Sequence, residues 1–457
     1  MSALPAEPSS GAFVALIKRL HFYIGLFVGP FILVAALSGV VYALTPQIED
    51  QLYADALHAP GSGQPLSLEA QVRRAQEVAG SGSTVAAVRP APAQGDTTRV
   101  MFNVPGLGAS EHRALFVDPV TGEIRGDMKV YGTSGILPLR TWIDQFHRSL
   151  LLGDVGRIYS ELAASWLWVA AAGGVVLWVV RRNRVRSARR SLRSWHATAG
   201  LWLLLGLLFF SATGLTWSQY AGDNIGVLRA HYGWSTPSVK TALAKPTAAD
   251  MGMSEDEHAA HHMHMAAPAS SAAVNPALFD TVLATARSAN IESSRIEIRP
   301  SSSPEKAWVV AEIDRSWPTQ VDAVSVDPKT LAVVDHVEFA QYSIAAKLTR
   351  WGIDAHMGIL FGLANQLILI FFASGMVAMV IVGYLMWWRR RPTLARQPTI
   401  VDAWRQSGRT AKVLWLLVAI SLGVSLPVLG WSLLLLIAFD LVVTYRAPSV
   451  ALMRSQG

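Results

Sequence analysis

The sequence predicts a membrane α-helical bundle: four core spans from a tandem duplication, a C-terminal two-helix hairpin, and two α+β domains outside the bilayer. Three observations predict it. Of 457 residues, 51% are hydrophobic and 16% charged, where a soluble domain carries about 25% charged residues. Apolar runs recur at the length a bilayer requires, about 20 residues. The two halves of the chain also repeat one another.

Segments 22–44, 162–180, 197–217 and 359–388 are the apolar cores of four spans, set within helices at 14–45, 158–181, 195–219 and 356–389. A longer apolar stretch, 413–443, is punctuated by Pro427 and Gly430. It reads as a tight hairpin within 412–446, which makes six spans. RRNRVRSARRSLR, at 181–193, fills the loop 182–194 without an acidic residue, WWRRRP leads into the loop at 390–411, and Lys18 and Arg19 precede the first span. The positive-inside rule makes these segments cytoplasmic, with both termini. The long loops 46–157 and 220–355 mix charges and fall outside, in the periplasm of a bacterial inner membrane. The formal charge of +7 is then a matter of topology. It implies a lipid bilayer and no nucleic acid. The opening MSALPAEPSSGAF lacks the basic flank of a cleaved signal, and the first apolar run is long enough to stay as a span.

Each outside loop reads as a small α+β domain. In the first, SLEAQVRRAQEVA is helical, opened by Ser67, and STVAAVRP, TTRVMFNV and RALFVDP are strands. In the second, NPALFDTVLATARSA is helical and RIEIRP, KAWVVAEID and VDAVSVDP are strands. Either domain alone is small for a stable core, so packing on the other or on the bundle is expected. The second loop also holds MGMSEDEHAAHHMHM at 251–265. Its histidines His258, His261, His262 and His264 form an accessory set for copper or a similar metal. A flexible polar linker is the ordinary alternative.

The repeat has two offsets. A shift of 175 lays LHFYIGLF on WHATAGLW, matching His21 with His196 and Gly25 with Gly200. A shift of 209 matches Asp118-Pro119 with Asp327-Pro328, Trp142 with Trp351, His147 with His356, Gly153 with Gly362, Gly174 with Gly383, and Trp178 with Trp387. Both copies run in the same direction, so an axis along the membrane normal relates them. His21 and His196 fall near the cytoplasmic face, and His147 and His356 near the outer one.

A single interfacial histidine is ordinarily a hydrogen-bonded or snorkelling side chain. Two symmetric pairs are a stronger signal, because six-coordinate haem iron takes one imidazole above and one below the porphyrin. Gly25 and Gly200 each follow a histidine by four residues, on the same helical face. They leave room for a macrocycle or, alternatively, for close helix packing. Arg148, beside His147, and Arg157 suit haem propionates or lipid headgroups. Asp144 and Asp354 are candidates to hold the free imidazole nitrogens of the outer pair, and His231, Met357 and Met376 are reserve ligands. The chain has no cysteine, which excludes covalent haem, thiolate iron–sulfur sites and disulfides. Neither G-x-G-x-x-G nor a P-loop occurs, so nucleotide and flavin sites lack support.

The segments LHFYIGL, WHATAGL, FHRSLLLGDVGR, AHMGILFG, FVDPVTGE and SVDPKT resemble the PepSY-associated transmembrane family over residues 15–392. Within it, the likeness is greatest to inner-membrane siderophore reductases of the ferrioxamine type. The resemblance implies two PepSY-like outer domains and two non-covalent, bis-histidine haem b groups. His21 and His196 would hold the inner haem, and His147 and His356 the outer. It further implies electrons passing from an external donor, a quinol or a cytoplasmic reductase, to a ferric siderophore of hydroxamate type. The aromatic residues Trp308, Trp317 and Tyr342 are candidates to contact that substrate. Leu331-Ala332 stands where the first copy has Gly122-Glu123, a departure from the motif. A non-enzymatic PepSY scaffold and a periplasmic copper-handling protein are the alternative functions.

Overall fold

The computed structural model describes residues 10–108, 110–182, 191–243, 274–301, 303–389 and 399–446. The chain divides into two compact units: Met1–Val41, Gln145–His231 and Ile368–Gly457 form the first, and Tyr42–Asp144 and Tyr232–Leu367 the second.

The first unit is helical. Helix α1 (Ser10–Tyr23) passes through a π turn (Ile24–Val28) into α2 (Gly29–Leu52). Helices α6 (Gly153–Arg182), α7 (Leu192–Thr216) and α8 (Tyr220–His231) follow the first set of strands. Helix α11 (Gly362–Arg389) precedes α12 (Ile400–Gln406), α13 (Arg409–Ser425) and α14 (Pro427–Arg446). Five helices are long and apolar enough to cross a membrane: Gly11–Leu52, Gly153–Val180, Leu192–Thr216, Gly362–Arg389 and Pro427–Tyr445. Helix α13, the remaining half of the expected hairpin, has 17 residues, which is about 25 Å. The hairpin itself is present. Pro427 opens α14, where a missing N–H costs nothing, and a Cβ on Gly430 would lie 2.7 Å from the Gly423 Cα. Only glycines permit the two helices to meet so closely.

The π turn has a chemical cause nearby. Pro30 offers no N–H to the Leu26 carbonyl four residues earlier. Tyr384 of α11 donates its hydroxyl to that carbonyl at 2.6 Å. A Cβ on Gly29 would be 3.4 Å from the Tyr384 ring, so a larger residue there would crowd it.

The second unit is an antiparallel sheet. The first loop supplies α3 (Ala54–Leu57), α4 (Leu68–Ala79), β1 (Thr84–Arg89), β2 (Thr98–Asn103), β3 (Glu111–Val117), β4 (Ile124–Tyr131) and α5 (Pro138–Ser149). The second supplies α9 (Leu278–Ser288), β5 (Ile296–Arg299), β6 (Trp308–Glu312), β7 (Ala323–Val326), β8 (Val333–Val337) and α10 (Ile344–His356). Helix α5 carries its last five residues in the first unit. The strand order β4-β3-β2-β1-β5-β6-β7-β8 is two meanders joined at Val88–Ile298. The two loops therefore build one sheet, which resolves the shortage of core in either alone.

Alternation along the strands sorts the faces. Val88, Val100, Leu115, Ile298, Val310 and Val324 join Val72 of α4 and Phe279 and Val282 of α9 in one core. Ala87, Met101, Ala114 and Phe116 face the other way, with Ala56 of α3. Asp280 of α9 accepts from the Leu68 and Glu69 amides at 2.9 Å each and so caps α4. Strands β4 and β8 escape a reading by alternation because they are edge strands, half-exposed and irregular in burial.

Positions 209 apart share local geometry. Asp118 and Asp327 accept from the amides of Gly122 and Leu331 at 2.9 and 2.8 Å, and both turn residues have positive φ, 74° and 58°. The departure at Leu331 thus keeps the turn, with a leucine in the left-handed region. A register shift occurs at Phe116/Val117 and again at Ser325/Val326.

Candidate functional site

His21 lies near the end of α1 and His196 in the second turn of α7. Their ring centres are 6.2 Å apart and their planes are inclined at 83°. The two rings are near enough to serve as ligands of one metal group.

The protonation of His21 follows from its partner. Nδ1 lies 3.0 Å from the Ala170 carbonyl of α6. A carbonyl only accepts, so Nδ1 carries the hydrogen; when the ring is neutral, the lone pair that binds metals is on Nε2. Met379 of α11, 209 positions after Ala170, presents its backbone to His196. There the approach is looser than a formed hydrogen bond, and Nδ1 is buried. The glycines follow the same relation. A Cβ on Gly174 would lie 3.5 Å from Cε1 of His21, and one on Gly383 would lie 3.9 Å from Cε1 of His196.

Gly25 and Gly200 have different surroundings. A Cβ on Gly25 would meet nothing within 4 Å. Gly25 itself lies within the π turn. At Gly200 the neighbour is Met379, whose Cε would be 3.1 Å away. The side-chain-free positions against the two imidazoles are Gly174 and Gly383. The sequence repeat pairs them, but only the packing of α6 and α11 ties them to the histidines.

His147 sits in the last turn of α5. Its Nδ1 is 2.9 Å from Ser38 Oγ, and that hydroxyl has the Val34 carbonyl as its own acceptor at 2.8 Å. Ser38 therefore accepts from His147 Nδ1–H, which again leaves the lone pair on Nε2. Burial lowers the His147 pKa to about 4, opposed by a hydrogen bond to the Ala35 backbone and reinforced by Arg148. A Cβ on Gly39 would be 3.5 Å from its Cε1, and Tyr159 donates to its carbonyl at 2.5 Å. Arg148 is half-buried, with its own carbonyl accepting from Ser160. Arg157 donates to the Trp217 carbonyl at 3.3 Å.

His356 belongs to the second unit and is half-buried at the end of α10. Asp354, two residues before it, is fully buried and accepts from Arg315 at 2.6 Å and Arg350 at 3.0 Å. Asn365 donates to the Ala355 carbonyl and Gln366 accepts from Gln47. Of the aromatic candidates, Trp308 is a core residue against Phe279 and Tyr342 is buried, whereas Trp317 is exposed. Among the reserve ligands Met376 is core and His231 exposed. His258, His261, His262 and His264 lie outside the described residues. Among the described residues, no three of His, Asp and Glu converge as a metal site. A haem iron asks for only two protein ligands.

The geometry is that of a membrane helical protein with paired histidines between its helices. The family described as the PepSY-associated TM region matches residues 18–390, and the chain belongs to it. A comparison with curated proteins finds no match.

Proposed function

We propose that the chain is a tandemly duplicated, dihaem b-type electron-transfer protein of the bacterial inner membrane. In this reading both termini are cytoplasmic, the sheet unit is periplasmic, and the substrate is a periplasmic ferric siderophore of hydroxamate type. The observation that carries it is the His21–His196 pair: two imidazole rings 6.2 Å apart, with Nδ1 of His21 turned to the Ala170 carbonyl and its Nε2 left for a metal. His147, held in the same tautomer by Ser38, and His356 are the proposed ligands of the second haem. The shared turns and glycine contacts at offset 209 support the duplication.

Bound haem supplies a one-electron redox couple. The chain's residues position it. Ala170 and Ser38 fix imidazole tautomers, Gly174, Gly383 and Gly39 leave space against the rings, and burial of His147 keeps that ring neutral near pH 7. An external quinol or cytoplasmic reductase gives up the electron. The ferric substrate takes it and becomes Fe(II), a weaker partner for hard hydroxamate oxygens.

The test is an absorption spectrum of detergent-purified protein, oxidised and dithionite-reduced, with pyridine haemochrome quantification after expression with ample haem. Two b-type haems per chain are expected. Colourless protein would overturn the proposal and favour a PepSY scaffold. Activity lost on deleting 251–265, with no haem spectrum, would favour copper handling.

A further inference from the structure

Helix α10 (Ile344–His356) has two faces. Ala346, Ile353 and Asp354 are buried. Ile344 and Leu348 are 77% and 60% exposed, and with Trp351 they occupy positions i, i+4 and i+7, a single stripe on a helix. The stripe extends beyond the helix. Trp317 and Phe361, each 56% exposed, form a chain of rings with Trp351: Trp317 lies 5.6 Å from Trp351 and 6.0 Å from Phe361. Trp317 is fastened there, its amide donating to the Leu360 carbonyl at 2.7 Å. Next come the exposed Leu363 and Leu367, at the start of the apolar helix Gly362–Arg389.

We propose that this face of α10, with Trp317 and Phe361, is immersed in the interfacial zone of the bilayer, so that the sheet unit is itself seated on lipid. Continuity identifies the occupant. Only five residues separate the end of α10 from the start of α11, and the ring contacts lead from Trp351 through Trp317 to Phe361, the residue before α11. The chemistry agrees. Tryptophan rings favour the headgroup boundary, and an amphipathic helix binds there by its apolar face. This inference rests on the membrane spans alone and stands apart from the haem assignment.

The chain's lack of cysteine makes a direct test available. Single substitutions Ile344→Cys, Leu348→Cys and, as a control, Lys329→Cys would be nitroxide-labelled in full-length protein reconstituted into nanodiscs. Lys329 is exposed in the β7–β8 turn, at the far end of β8 from α10. Labels at 344 and 348 are expected to show a several-fold higher ratio of oxygen to nickel-chelate accessibility than the label at 329. Equal, water-like accessibility at all three sites would overturn the proposal. So would immobilised labels at 344 and 348 shielded from both reagents, since protein would then cover the face. Monodisperse elution of each variant before reconstitution guards against misfolding as a cause.

Discussion

Tyr23 donates its hydroxyl to Asp440 at 2.5 Å, joining the helix that carries His21 to the terminal hairpin. Asp440 is fully buried. It also takes the Arg19 guanidinium at 3.4 Å and the Val401 amide at 3.1 Å, while Arg19 stacks over the Tyr23 ring. Removing the carboxylate leaves a half-buried arginine and a buried hydroxyl without their acceptor. Asp440→Ala is expected to lose about 3 kcal/mol of stability, and Tyr23→Phe about 1–2 kcal/mol. Equilibrium unfolding in mixed detergent checks both, and equal stability of Asp440→Ala and wild type would refute the latch.

The glycines against the imidazoles give a second expectation. Gly174→Leu would drive a side chain into the space beside His21, where even a Cβ comes within 3.5 Å of the ring. The inner b-type absorbance is expected to be lost or strongly diminished. Gly25→Ala meets open space and is expected to keep the full spectrum. A reversed order of effects would show that room for the cofactor is made elsewhere.

The folded-state pKa of His147, about 4 against an ordinary 6.5, sets a pH dependence. Between these values the unfolded chain binds a proton that the folded chain refuses, so stability falls as pH falls through that window and is fully present above it. His112, also lowered mainly by burial, acts in the same direction. Haem-free His147→Gln protein is therefore expected to show a shallower loss of melting temperature from pH 6.5 to 4. An unchanged slope would mean that His147 titrates normally.

The paired turns of the sheet give a fourth. Leu331 occupies φ 58° where Gly122 has 74°, and a left-handed leucine costs about 1–2 kcal/mol. Leu331→Gly is expected to stabilise the protein by about 0.5–1 kcal/mol, reduced by the greater freedom of glycine in the unfolded chain. Gly122→Leu is expected to destabilise it, since its Cβ would also meet Leu66 at 3.4 Å. Thermal unfolding of the two variants should move in opposite directions.

What the sequence determined by itself was whatever local pattern carries. Runs of apolar residues specify helices of membrane length, the offsets of 175 and 209 pair His21 with His196 and Gly174 with Gly383, and alternation marks the six inner strands. Each of these signals is read along one chain segment. The tertiary structure decided everything that depends on a neighbour distant in sequence. It merged two loops into one sheet through Val88 and Ile298. It chose the His21 tautomer with a carbonyl 149 residues away. It placed Gly25 in a π turn whose Leu26 carbonyl is bonded by Tyr384 of another helix. Periodicity says which face of a helix is apolar; which side chain or carbonyl meets that face is settled only when the helices pack.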